Sequence, residues 1–246
     1  MVHANERKGL SVKKSLFLVV GGNSGIGRSV VEILDSHGHN VIICDKEISD
    51  DLSKDHQCFQ LDLRDKESVD KFSKGLLPSL GINNLVYSAG YQENVDILEL
   101  DVNSWENMFS VNVGSAFSIS QTIARSIEKK KEGVLAYISS IHGDIIREIP
   151  HYSASKAAQN MMMKEFAYRL ATLGGRAFSI APGSIDTPML RQDLSTEELL
   201  LAGEKNIPMK RHGSPDEVAK LLYNLLEIEY LTGTVIVVDG GLSLVI

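Results

Sequence analysis

The sequence predicts an α/β protein built on one doubly wound parallel sheet of about seven strands, with helices on both faces. Short apolar runs alternate with longer stretches of helical period from Leu16 to the C-terminus. The runs are apolar throughout, without in/out alternation, as strands covered on both faces require. A length of 246 residues suits one such sheet better than two small domains.

The strands are expected at 16–20, 40–44, 57–61, 84–87, 134–139 and 177–180, with a seventh at 235–238. Helical period marks 26–37, 66–77, 103–130, 152–173 and 214–227. Asn103 or Ser104 would cap the long helix. Ser214 would cap the last, with Pro215 at its first position and Glu217 at its third. Repeated strand–helix–strand units imply right-handed crossovers. Residues 1–14 are polar and basic and read as a flexible N-terminal extension to a single domain over 15–246.

A net charge of −7 argues against nucleic acid or an anionic membrane as the main partner. No run approaches the ~18 apolar residues of a membrane helix. Cys44 and Cys58, the two cysteines, have no metal-binding spacing, so no metal site is expected. Cys44 ends an apolar run and reads as a buried thiol, a usage that suits a reducing cytoplasm.

The turn after the first strand reads Gly21-Gly22-Asn23-Ser24-Gly25-Ile26-Gly27. Glycines there let the backbone approach a pyrophosphate, and the helix that follows offers free N–H groups and a positive dipole end. A tight packing turn is the plainer alternative. Asp45 follows the second strand, eighteen residues after Gly27. A carboxylate there can accept both hydroxyls of the adenosine ribose and would repel a 2′-phosphate, favouring NAD over NADP. Arg28 and Lys46 weigh the other way. Asp62, beside Leu63, would accept from the adenine amino group or serve as a turn carboxylate.

Tyr152-Ser153-Ala154-Ser155-Lys156 puts a phenol and an ammonium at i and i+4, neighbours on one helix face. Twelve residues upstream, Ser139-Ser140-Ile141-His142-Gly143 ends a strand, where ligands bind in such sheets. To remove a hydroxyl proton near neutrality, a phenol of pKa ~10 must drop two to three units, roughly 3–4 kcal/mol. An ammonium ~4 Å away supplies up to about 4 kcal/mol at an effective dielectric near 20. Alone, Y-x-x-x-K reads as a surface pair. Its weight comes from the phosphate loop and the serine-bearing strand end.

Together these residues resemble the short-chain dehydrogenase/reductase family over almost the whole chain. Gly21-x-x-x-Gly25-x-Gly27 is similar to its cofactor loop, Asp45 to its NAD-selecting acid, and Ser88-Ala89-Gly90 to the end of its Asn-Asn-Ala-Gly. Asn112, Ser140, Tyr152 and Lys156 match its catalytic four. Pro182-Gly183-Ser184-Ile185-Asp186-Thr187-Pro188 looks like its nicotinamide-side loop, and Val238-Asp239-Gly240-Gly241 like its C-terminal signature. The resemblance implies a Rossmann-type fold. It makes Tyr152 the general acid/base and Lys156 the group that lowers its pKa and holds the nicotinamide ribose. Ser140 would bond the substrate oxygen, and Asn112 would support a water chain. Ile185 and Thr187 would touch the carboxamide, and Ser88, Ala89 and Gly90 would line the adenosine side. A homotetramer or homodimer is implied as well, helped by the apolar tail 242–246.

Three departures stand out. Val20 replaces a threonine that braces the loop, Tyr87-Ser88 replaces two asparagines, and the spacing from Ser140 to Tyr152 is one short. The last leaves Ser139 as a rival to Ser140.

His142 and Met189 are expected at the substrate, with His142, Asp144, Arg147 and His151 making the nearby loop polar and tilting it toward a hydroxylated substrate. Residues 188–207 read as a helical lid or a plain surface helix. Arg125 with Lys129-Lys130-Lys131 forms a basic patch, either a carrier-protein dock or a solvated helix end. The leading expectation is a cytoplasmic NAD(H)-dependent oxidoreductase interconverting a small secondary alcohol and a ketone. The alternatives are an NADPH-dependent 3-oxoacyl-thioester reductase and a catalytically silent dinucleotide-binding sensor.

Overall fold

A computed structural model describes residues 14–191, 201–203 and 205–245. The expected extension at 1–13 and most of the expected lid, 192–200 and 204, lie outside the described residues.

The described chain forms seven strands: β1 Leu16–Val20, β2 Asn40–Asp45, β3 Gln57–Gln60, β4 Asn84–Tyr87, β5 Gly133–Ile138, β6 Gly175–Pro182 and β7 Val235–Val238. They pair in parallel in the order β3-β2-β1-β4-β5-β6-β7. The order reverses between β1 and β4, opening a crevice at the carboxyl ends of the strands there.

Consecutive residues of β1 serve opposite faces. Leu18 and Val20 join a core with residues of the helices that follow β3, β4 and β5. Phe17 and Val19 join a second core with Val30, Val31 and Leu34 of the first helix and Val218 and Leu222 of the last. Both faces are therefore dry, which explains runs without alternation.

The helices are α1 Gly25–Ser36, α2 Asp50–Asp55, α3 Lys66–Asp70, α4 Val102–Phe109, α5 Ser115–Lys130, α6 Pro150–Ala171, α7 Pro188–Arg191 and α8 Pro215–Leu226. Three sequence expectations shift. The long helix is interrupted by a π turn, Ser110–Gly114, between α4 and α5. Its cap is Asp101, whose carboxylate accepts from Ser104 N–H at 2.8 Å, rather than Asn103 or Ser104. The helix at 66–77 divides into α3, a π turn Lys71–Leu76 and a 3-10 turn Leu77–Leu80. Ser214 caps α8 with the expected reciprocal bonds to Glu217.

Candidate active site

A cleft of about 720 Å³ runs along the carboxyl ends of the strands. Of the expected residues, Gly21, Ser24, Gly25, Ile26, Asp45, Asp62, Leu63, Ser88, Ala89 and Gly90 line one end. Ser140, His142, Tyr152, Lys156, Pro182, Gly183, Ile185, Thr187 and Met189 line the rest. Asn23, Gly27 and Asn112 are not on its wall.

The loop between β1 and α1 requires its glycines. A methyl on Gly21 (φ +81°) would lie 2.5 Å from Ala89 N, and one on Gly27 would lie 1.8 Å from the Gly21 carbonyl oxygen. Gly27 thus lets helix and loop close up behind the cleft. Ser24, the N-cap of α1, makes no side-chain cap bond, and the first turn holds no acidic residue. The N–H groups and dipole of this 12-residue helix are left for an anion, which is what a dinucleotide pyrophosphate supplies. A methyl on Gly25 would come within 3.3 Å of Thr187, so the loop after β6 overhangs the same spot. The residues present fit a dinucleotide.

Val20 supplies no hydroxyl brace, and its side chain is buried in the core. The loop is held instead through Asp45, whose Oδ2 accepts from Asn23 N–H at 2.9 Å, while Asn23 Oδ1 accepts from Ser49 N–H at 2.9 Å. Arg28 is committed to Glu32 at 2.8 Å and Asp51 at 2.6 Å. Asp62 accepts from the backbone N–H and the guanidinium of Arg64, whose bond holds its carboxyl below the usual range. Asp65, not Asp62, caps the following helix. Tyr87 is a fully buried anchor: its hydroxyl donates to the Val111 carbonyl at 2.8 Å and lies 2.7 Å from Ser115 Oγ.

At the other end α6 brings Tyr152 and Lys156 together, with the ammonium 5.6 Å from the centre of the phenol ring. The pair is on one face of the helix and on the cleft wall. Burial pushes the phenol up to about 12, and a hydrogen bond to Ser140 pulls the other way. Burial pushes the ammonium down to about 8. Desolvation therefore outweighs the Ser140 hydroxyl at the phenol. Ser140 Oγ also accepts from His142 N–H at 3.2 Å. Among the described residues Ser139 Oγ is buried without a partner, and the serine that acts on the phenol is Ser140.

Asn112 sits behind this pair, fully buried in the π turn. Its amide donates to the Tyr91 carbonyl at 3.0 Å and Ser155 Oγ at 2.9 Å, and its Oδ1 accepts from Tyr91 N–H at 2.8 Å. It ties α6 to the segment after β4. A methyl on Gly90 would lie 3.7 Å from Lys156 Nζ, 3.9 Å from Asn112 Oδ1 and 4.0 Å from Met189 Cε, which shows how these groups converge.

His142 stands edge-on to the Tyr152 ring, 5.1 Å between centroids. Burial, with the charges of Arg147 and Lys156, drops its pKa to about 4, so it is neutral near pH 7. Arg147 lines the cleft. His151 does not: it is fully buried, with neither ring nitrogen bonded. Lys46, weighed from the sequence as a 2′-phosphate partner, lines the cleft; sequence reasoning missed Arg64, Tyr91 and Ile149, which carry no motif of their own.

Comparison with known proteins agrees with this geometry. A family model described as enoyl-(acyl carrier protein) reductase matches residues 20–243. The 3-oxoacyl-[acyl-carrier-protein] reductase MabA of Mycobacterium tuberculosis is 31% identical over 232 residues, covering 92% of each chain. Two solved structures superpose closely. Gox2181 has a TM-score of 0.85 and 28% identity, over 95% of this chain and 97% of its own. The aldohexose dehydrogenase of Thermoplasma acidophilum has a TM-score of 0.83 and 25% identity, over 94% and 95%. With its seven-stranded parallel sheet, glycine-loop cleft and matching family model, the chain belongs to the short-chain dehydrogenase/reductase family, oxidoreductases that act on CH–OH and ketone groups with a nicotinamide dinucleotide.

Proposed function

We propose that the chain interconverts a small secondary alcohol and its ketone with NAD(H), with Tyr152 carrying the proton. The carrying observation is the buried Tyr152–Lys156 pair, facing, with Ser140, the same cleft as the glycine loop. When bound, the nicotinamide supplies the hydride acceptor or donor and, oxidised, a positive charge. Ser140 and Tyr152 hold the substrate oxygen between two hydroxyls. Tyr152 takes the alcohol proton in oxidation and returns it in reduction. Lys156 favours the phenolate, opposing the desolvation that keeps the free phenol near 12. Ile149, Met189 and Leu190 supply apolar walls that keep water from the reacting carbon.

NAD is favoured by Asp45 on the adenosine wall and by the engagement of Arg28 and Arg64 with carboxylates, which leaves Lys46, among the described residues there, as the cleft cation for a 2′-phosphate. A second reading, a 3-oxoacyl-thioester reductase using NADPH, is supported by the activity named for MabA. Against a carrier dock at the basic patch, α5 ends at Lys130, which donates to the Gly81 carbonyl near the start of β4. That is the amino end of the strands, opposite the cleft. The exposed apolar residues Trp105, Phe117, Met161 and Tyr168 on α4, α5 and α6 support a homo-oligomer.

Titrating NADH and NADPH by fluorescence, followed by turnover with secondary alcohols, sugars and a 3-oxoacyl thioester, tests this reading. Tighter NADH binding and turnover of a free alcohol are expected. NADPH-only reduction of the thioester would replace it with the second.

A further inference from the structure

Lys156 is a buried ammonium with no ion pair to a carboxylate among the described residues. Its hydrogen-bond partners are the Ile138 carbonyl at 3.0 Å and Gln159 Oε1 at a longer 3.4 Å. The titratable groups next to it are Tyr152, on its own helix, and His142, from the turn after β5. Gln159 is itself wholly buried, and its Nε2 donates to the Asn112 backbone carbonyl at 3.0 Å. It lies off the cleft wall and cannot touch substrate. The amide orientation is forced, because an ammonium only donates and a carbonyl only accepts. One side chain must accept at one end and donate at the other. Glutamate would set an oxygen against the Asn112 carbonyl, and leucine would satisfy neither group. The carbonyl lies in the π turn Ser110–Gly114, and such widened turns occur frequently at functional sites.

We propose that Gln159 is a positioning residue for catalysis, a neutral bridge that pins the Lys156 ammonium to the Asn112 carbonyl and leaves its charge undiminished for Tyr152. A carboxylate in that place would compete for the ammonium and cancel its field at the phenol. An apolar residue would leave the ammonium short of an acceptor and the carbonyl buried without a donor. The inference rests on the proposed role of Lys156 toward Tyr152.

The test compares Gln159→Leu with Gln159→Ala, using the full chain, NAD and a secondary alcohol that the wild type oxidises. Leucine keeps the volume and removes both bonds, whereas alanine opens room for a water between ammonium and carbonyl. Gln159→Leu should lower kcat at least about tenfold, the weight of one hydrogen bond to a charged group, with NAD affinity and KM little changed. The acid limb of its pH–rate profile should move to higher pH, because a less stabilised ammonium favours the phenolate less. Gln159→Ala should recover part of the lost kcat despite a lower Tm. A packing role predicts the reverse order, alanine below leucine in both kcat and Tm with an unmoved acid limb, and that result overturns the proposal. So does a Gln159→Leu protein with wild-type kcat and pH profile. If Gln159→Leu fails to fold, Gln159→Met takes its place in the same comparison. A fully active Tyr152→Phe variant would instead remove the reading on which the inference rests, whatever Gln159 does.

Discussion

At the scale of single residues, the proposed preference for NAD rests on Asp45. Its carboxylate holds the glycine loop through Asn23 N–H and lines the cleft beside that loop. Asp45→Ser keeps a small acceptor and removes the charge, so the ratio of kcat/KM for NAD to that for NADP should fall at least about tenfold, the size of one ionic discrimination of 1.4 kcal/mol. Steady-state rates with both cofactors read this, and an unchanged ratio would clear Asp45 of the role. Lys156 makes a pH prediction. Its ammonium titrates near 10.5 ordinarily and near 8 when folded, so between those values the unfolded chain holds the extra proton. Stability from this group therefore rises with pH from about 8. Tyr152, raised in the folded chain from an ordinary value of 10, opposes it above pH 10. Urea unfolding should show the wild type gaining on Lys156→Met between pH 8 and 10, and a constant difference would deny the burial of that charge. The Tyr–Lys pair and the glycine loop were legible because i, i+4 spacing and a turn between strand and helix are local properties. Gln159 was not, since its meaning lies in Asn112, 47 residues away. The direction of the Tyr152 shift was hidden for a similar reason: burial is not a property of spacing.

At the scale of elements, strand positions followed from apolar runs because both faces of the sheet are covered. β1, β4 and β7 start and end where the runs do. The short α2, Asp50–Asp55, escaped notice because it buries Leu52 alone and so carries no period. The π turns escaped because a widened turn answers to packing and side-chain bonds across the fold, not to the 3.6 repeat. Asp101 was readable as a cap, being a good N-cap type just before the helix. The α8 cap was read from sequence, and it supplies a stability prediction. Ser214→Ala removes the acceptor for Glu217 N–H and should destabilise the chain by about 1 kcal/mol. Urea unfolding of the variant measures this, and no loss would mean that the Arg211–Glu217 ion pair alone fixes the helix start.

At the scale of the whole molecule, the sheet order puts the β1–β4 crevice beside both the glycine loop and the Tyr152 face of α6. One cleft can therefore hold a dinucleotide at one end and an alcohol at the other. Chain topology was legible up to the alternation of strands and helices, and the strand order came only with the structure. Light scattering should give a dimer or tetramer mass, and a Trp105→Glu, Phe117→Glu double variant should shift it toward the monomer. A wild-type monomer at micromolar concentration would leave that apolar face without the proposed cover. The proposed reaction depends on the phenol at residue 152. The measurement that tests it most directly is turnover of Tyr152→Phe alongside its NADH affinity. Affinity within a few-fold of wild type is expected, with turnover lower by about 10²–10⁴, the reach of a general acid/base. Wild-type turnover in a phenylalanine variant that still binds NADH would contradict it.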